Sequence, residues 1–473
     1  MTNSRGSYLL KNTLIFTLGN LATKLITFVL IPLYTNILST NEYGIIDAVV
    51  TICTIVVPII TLNISEAVLR FNMDKGVNSN KITKIGILIL FFGSIFGLLL
   101  IPFCKQFKEI SDIALLIYFY VISFASCQIF LSDLRGKELL VKYSFGNIIN
   151  TVLIALFSIV LLKIYKLGVN GYLLAYSVSY FITAIYALLV GDGYKSITEN
   201  IDFIKIKEML KYSVVLIPNS FMWWIMNSSD HIMVTSMIGA AANGIYAISY
   251  KFPNLISTFA SIFNQAWQYS AIREEGSIDE ESYYNSTLER IIVIAMLIGL
   301  GILTFIKPFL KIYVASDYYD AWKYTPFLIV GCIFMTIGTF MSTSYTVHKD
   351  SMGFLISGTV GALLNVVLNY LLIPLLGVFG AAISTCSSYI VVFIFRVFHT
   401  RKYIHYHILT KGFVVGLIAL IVSSHMVFIN GVIGQILQTI VFVIVLIIFK
   451  DSWFSIIGTF KNLVIELVSK NRV

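Results

Sequence analysis

Between Leu9 and Phe71 the chain reads as two apolar runs, each long enough to cross a bilayer at about 1.5 Å of helix rise per residue, joined by the short polar corner Ser39 to Gly44. That pattern predicts a transmembrane hairpin and limits what the rest of the chain can be. The first run carries Lys24 in its interior, and the second ends with Glu66 and Arg70 on its last turns. An ionised group at mid-membrane costs roughly 2.5 to 3.5 kcal/mol on the insertion scale. Such charges need a wet or paired destination.

Apolar runs of comparable length continue to the C-terminus. About fourteen are expected, centred near Ile26, Val56, Ile95, Val121, Leu156, Tyr180, Met226, Leu255, Ile298, Met335, Val367, Val391, Leu420 and Val443. The chain is 58% hydrophobic and 12% charged, against about 25% charged in soluble domains. It cannot cover its surface with polar groups. The fold class is therefore an all-α, multi-pass integral membrane protein, and its 27 Tyr and 35 Phe suit interfacial belts and packing within a bundle.

A net charge of +9 could suggest nucleic acid, but the basic residues lie mostly in alternate loops. Of 33 Lys and Arg, 24 fall on the side of the N-terminus and 7 on the other, leaving Lys24 and Lys251 inside spans. This bias predicts both termini in the cytoplasm and no nucleic-acid partner. The first run is too long for a signal h-region, so it is expected to remain as a span. Cys53, Cys104, Cys127, Cys332 and Cys386 are scattered through or near apolar runs without CxxC spacing, and read as small buried hydrophobes.

The chain repeats itself. Leu167 to Tyr180 aligns without gaps on Leu376 to Tyr389, matching at Leu, Gly, Val, Gly, Ser and Tyr, and Gly44-Ile45 corresponds in position to Gly244-Ile245. Six spans separate the paired elements, so the two copies share one orientation, related by an axis along the membrane normal. The expected organisation is a six-helix lobe at 1–193, an amphipathic cytoplasmic linker at 194–211, a second six-helix lobe at 212–400, two additional spans at 401–449, and an amphipathic cytoplasmic tail at 450–473.

No phosphate loop, nucleophile elbow, HExxH helix or dinucleotide-binding turn occurs. An enzyme is not expected, and neither a cofactor nor a metal. His399, His405 and His407 cluster beside Arg401 and Lys402 as an interfacial basic patch. The informative residues are ionisable groups within spans. Lys24 follows Asn20 by four residues and precedes Thr27 by one turn, giving a polar stripe that suits a face turned to the bundle interior; with Lys251 it is the expected lumen cation. Asp230 and His231 interrupt the seventh span, as an internal ion pair with Lys251 or as a proton or sodium site. Glu66 and Arg70, four apart, read first as an intrahelical pair, and Asp133 and Arg135 as a span end or cavity mouth. Either arginine, if it faces such a mouth, could meet a phosphate bidentately.

The string LLKNTLIFTLGNLATKLITFVLIPLYTNILSTNEYGIIDAVV, followed by EAVLRF and later by FNQAWQYSAIREE, resembles the Wzx-type polysaccharide-biosynthesis flippases, of the superfamily that also holds lipid II flippases and multidrug and toxin extruders. The resemblance implies two six-helix lobes around a V-shaped cavity, with extra spans at the C-terminus. It also implies an undecaprenyl-diphosphate-linked oligosaccharide as substrate, moved from the cytoplasmic to the outer leaflet of the bacterial inner membrane by alternating access. Lys24, Lys251 and Arg70 would match the basic residues such flippases carry in the cavity, with Asp230 and Glu66 open to H⁺ or Na⁺ coupling. Expected partners are that glycolipid, membrane lipids and other polysaccharide-assembly proteins, with the protein itself a monomer. A drug exporter of the same superfamily should instead present carboxylates to cationic cargo. A membrane-embedded glycan polymerase would normally need a long outer loop, and none here exceeds roughly fifteen residues.

Overall fold

The computed structural model describes Thr23, Lys24, residues 26–74, residues 76–450 and Trp453. The described residues contain helices and no strand. The expected tail helix at 450–473 lies outside them except at Lys450 and Trp453.

The chain divides into two compact units, Met1–Ala247 with Tyr313–Tyr318, and Ile248–Ile312 with Tyr319–Val473. In the first unit the helices are α1 (Ile26–Ile37), α2 (Thr40–Ile60), α3 (Ile64–Asn72), α4 (Ser79–Gly97), α5 (Leu100–Cys104), α6 (Ala114–Gly136), α7 (Leu140–Ser158), α8 (Gly168–Val190), α9 (Phe203–Met237) and most of α10 (Ala240–Ser249). Each boundary has a local cause. Ser39 caps α2 in a reciprocal box: its hydroxyl accepts from the Glu42 N–H, and the Glu42 carboxylate accepts from the Ser39 N–H at 2.9 Å. Pro58 and the left-handed residues Leu62 and Asn63 then break α2 from α3. Helix α6 packs on α8 and α3, and α9 on α2 and α3, around a core that includes Ile64, Val68, Ile82, Leu134 and Met209.

The second unit holds α11 (Pro253–Glu274), α12 (Glu280–Tyr313, to Ile312), α13 (Thr325–Val347), α14 (Ser351–Leu376), α15 (Val378–His399), α16 (Lys411–Met426) and α17 (Gly431–Ile448). Here α13 is the centre, with 78% of its apolar window buried against 17% for α17. Lipid is as apolar as leucine, so helices in it associate by close packing of small residues. Gly331 of α13 accordingly sits against the Cys386 backbone of α15. Helix α17 instead turns Val432, Ile433, Ile436, Ile440 and Ile447 outward.

Ten of these helices, counting α4–α5 as one, are long and apolar enough to cross a membrane. Helices α1 and α16 are apolar but shorter, while α9 (35 residues) and α11 (22 residues) have the length but carry more polar positions. Together they stand one for one against the fourteen apolar runs, and the protein is an all-α multi-pass membrane protein.

The sequence repeat has a structural counterpart. Gly168 and Gly377, equivalent in the two copies, both take positive φ, +56° and +62°, immediately at the start of α8 and α15. The next matched pair, Gly171 and Gly380, both lie where a Cβ would press on a backbone carbonyl, that of Leu161 and that of Leu372.

The stretch expected as a separate linker is different in form. It is a short 3-10 turn, Gly193–Thr198, and then the first turns of α9, which runs on without interruption through the seventh span. The Asp202 carboxylate caps that helix by accepting from the Lys205 N–H.

Candidate functional site

The two glycine corners singled out by the repeat meet each other within the first unit. A Cβ on Gly44 would fall 1.7 Å from the Ala240 carbonyl oxygen, and one on Gly244 would fall 2.0 Å from that of Thr40. Helices α2 and α10 therefore cross backbone to backbone through equivalent positions of the two copies. Only residues without a side chain permit this approach.

The crossing brings polar groups of three helices together. Asn243 of α10 donates from Nδ2 to the Gly44 carbonyl and to Asp47 Oδ2 of α2, both at 3.1 Å. Asp47 Oδ2 also lies 2.7 Å from Nδ1 of His231, near the end of α9. One proton lies between these two groups, whichever of them carries it. The adjacent Asp230 is 1% exposed; its carboxylate accepts from the Tyr246 hydroxyl at 2.8 Å and from the His231 N–H at 3.0 Å. The His231 and Tyr246 rings sit 5.3 Å apart. The Asp47 and His231 side chains keep 17% and 10% exposure, so the pair is reachable at its edge, while Asp230 is closed off. Two carboxylates and an imidazole thus meet where α2, α9 and α10 come together.

Asp230 and His231 were expected from the sequence; Asp47 was not. Its signal was available, since an acid inside a 21-residue apolar helix raises the same cost that marks Lys24.

Lys24 is exposed, just ahead of α1. Lys251 is half-buried in the break between α10 and α11, in the second unit. Arg70, 54% exposed at the side chain, pairs with Asp74 at 2.6 Å and not with Glu66, because the turn after α3 brings the shorter carboxylate within reach. Glu66 is exposed and makes no ion pair among the described residues. Asp133 is 2% exposed and accepts from Asn72 at 2.9 Å, Thr83 at 2.6 Å and Lys137 at 2.6 Å, a knot tying α3, α4 and α6. Arg135, two residues on, is exposed. In the second unit Arg396 is fully buried, with Nε on the Ser357 hydroxyl and Nη1 on the Gly338 carbonyl. No group of three or more metal-ligating side chains occurs among the described residues.

A family model described as polysaccharide biosynthesis protein matches residues 9–269, more than half of the chain. The protein belongs to that family. This agrees with the resemblance carried by the N-terminal string. Among curated proteins, the family member is similar to an uncharacterized membrane protein of Methanocaldococcus jannaschii, 23% identical over 416 residues, covering 82% of this chain and 97% of the relative. Among solved structures it shares its fold with the lipid II flippase MurJ in an inward closed conformation (TM-score 0.63, 15% identity, 95% of this chain and 99% of that one). It shares it also with an outward-facing multidrug resistance MATE family transporter of the MOP superfamily (TM-score 0.57, 13% identity, 88% and 95%). This polysaccharide biosynthesis protein thus has the fold of these two membrane proteins.

Proposed function

We propose that this protein flips an undecaprenyl-diphosphate-linked oligosaccharide from the cytoplasmic to the outer leaflet of the bacterial inner membrane by alternating access, with both termini in the cytoplasm. The observation that carries this reading is the polysaccharide-biosynthesis match over residues 9–269, held on a fold shared with a lipid II flippase. The physical need fits. Moving a diphosphate and its sugars through hydrocarbon strips their hydration, which fixed cations and hydroxyls must replace. Lys24 and Lys251 are the proposed phosphate partners. Arg70 could join them only by exchanging Asp74 for the substrate. The Asp47–His231 pair is the proposed coupling site, holding a proton that can be lost and regained in each cycle.

The carboxylates at the crossing raise the exporter alternative, in which an acid would bind cationic cargo. Their engagement argues against it: Asp230 is closed over by Tyr246, and Asp47 is held by Asn243 and His231.

The test is flipping of a fluorescent lipid-diphosphate sugar in proteoliposomes. Lys24→Ala and Lys251→Ala should each slow it, and Asp47→Asn should flatten its pH dependence. Normal flipping in both lysine variants would remove them as phosphate ligands; export of a cationic dye without glycolipid flipping would establish the alternative. A rate indifferent to pH but dependent on sodium would transfer the coupling to Na⁺.

A further inference from the structure

Helix α9 is longer than a membrane needs. Its 35 residues extend roughly 52 Å at 1.5 Å per residue, whereas about 20 residues cross the hydrocarbon core. The surplus is at the N-terminal end, where Lys205, Lys207, Glu208 and Lys211 place the first turns at headgroup level. One side of these turns packs inward: Met209 and Ser213 are buried, and Tyr212 meets Phe71 edge-on at 5.9 Å.

Beside it lies a shallow open groove of about 480 Å³, lined by Phe203, Ile206, Lys207, Leu210, Lys211 and Val214, of which Ile206 and Leu210 also rest partly on the core. Its apolar residues recur at helical spacing, and its two lysines stand one turn apart on the same face. Nearby cations are engaged: Lys205 pairs with Glu208 at 2.9 Å, Arg70 pairs with Asp74, and Lys84 donates to the carbonyls of Ile197 and Glu199. Among the described residues, Lys207 and Lys211 have neither an ion pair nor a hydrogen bond. Two unneutralised ammonium groups beside an apolar strip, at the depth where phosphates lie, complement a molecule that is anionic at one end and hydrocarbon at the other.

We infer that this face of α9 binds an anionic membrane phospholipid, with the phosphate bridging Lys207 and Lys211 and an acyl chain along Phe203, Ile206, Leu210 and Val214. A basic side chain near the headgroup plane favours an anionic lipid by about fivefold, or roughly twenty-five- to thirtyfold for the pair. The inference does not depend on what the protein transports.

The test is native mass spectrometry of the full chain in detergent, titrated with phosphatidylglycerol and, separately, phosphatidylcholine. The wild type should retain phosphatidylglycerol roughly twenty-five- to thirtyfold more tightly. Lys207→Gln with Lys211→Gln should bring the two lipids to near parity without changing thermal stability, and the Lys207→Arg, Lys211→Arg protein should keep the preference. Lys163→Gln with Lys166→Gln, removing two exposed lysines remote in sequence, should leave it intact. Equal retention of both lipids by the wild type, or an unchanged preference in the double Gln variant, would overturn the inference. So would displacement of the lipid by inorganic phosphate alone, because the site would then read a free anion and not a lipid.

Discussion

The sharpest prediction concerns the crossing of α2 and α10. In Gly44→Ala the new methyl would lie 1.7 Å from the Ala240 carbonyl oxygen, whereas ordinary contact begins near 3.4 Å. The obstacle is backbone, so no rotamer change relieves it, and the helices must move apart by about 1.5 Å, an overpacking that costs roughly 1–3 kcal/mol. The separation also pulls Asn243 Nδ2 off the Gly44 carbonyl and Asp47, each bond being worth about 1 kcal/mol. The total, roughly 3–5 kcal/mol, should lower the melting temperature of the purified protein by roughly 6–10 °C. Gly244→Ala should do the same, and the double variant should fall short of the sum because both methyls separate the same two helices. Gly358→Ala is the control: a Cβ there meets nothing within 4 Å, and in mid-helix alanine is favoured over glycine by roughly 0.5–1 kcal/mol. Melting of Gly44→Ala and Gly244→Ala within a degree of the wild type would refute the close approach.

Two further perturbations address single side chains. Asp133→Ala removes the acceptor of Asn72, Thr83 and Lys137 and leaves an ammonium whose side chain is only 11% exposed with the Gly191 carbonyl but no counter-charge, so it should cost roughly 3–5 kcal/mol, with Asp133→Asn intermediate; thermal unfolding of the two variants checks this. Asp350, just ahead of α14, has its carboxyl held well below the usual range by Lys402, then by the Gly353 N–H and the Tyr403 hydroxyl. A carboxyl depressed in the folded state contributes stability above its unfolded value, about 4, and loses it as pH falls toward the folded value. Acidification below about pH 4 should therefore destabilise the wild type more steeply than Asp350→Asn, and parallel melting curves against pH would contradict it.

Much of this architecture is legible in the residues because the membrane leaves few options: each apolar run had to become a helix, and among the described residues each did. The repeat was legible too, and the Gly44–Gly244 match of two letters proved to be a physical meeting of the two positions. Three features escaped. The mixed charges at 194–211 suggested a separate connector because charge normally ends a span, yet 203–211 are the first turns of α9 itself. Arg396 counted among the loop cations but is buried on Ser357 and Gly338, since proximity to a helix end does not reveal which way a long side chain turns. Asp47 gave the clearest energetic signal and needed only the rule already applied to Lys24. Its partners, 184 and 196 residues away, could come only from the fold.

Helix α9 joins the proposed phospholipid groove to His231, the partner of Asp47, as one continuous helix. From Lys207 to His231 it spans 24 residues, roughly 36 Å, with Pro218 as the weak point along its length. A tilt of about 5° about the lysine end would swing the imidazole through about 3 Å. Directed away from Asp47, a displacement of that size would break the 2.7 Å contact. On the two proposals above, the lipid at one end of α9 and the coupling pair at the other are therefore mechanically linked through a single helix.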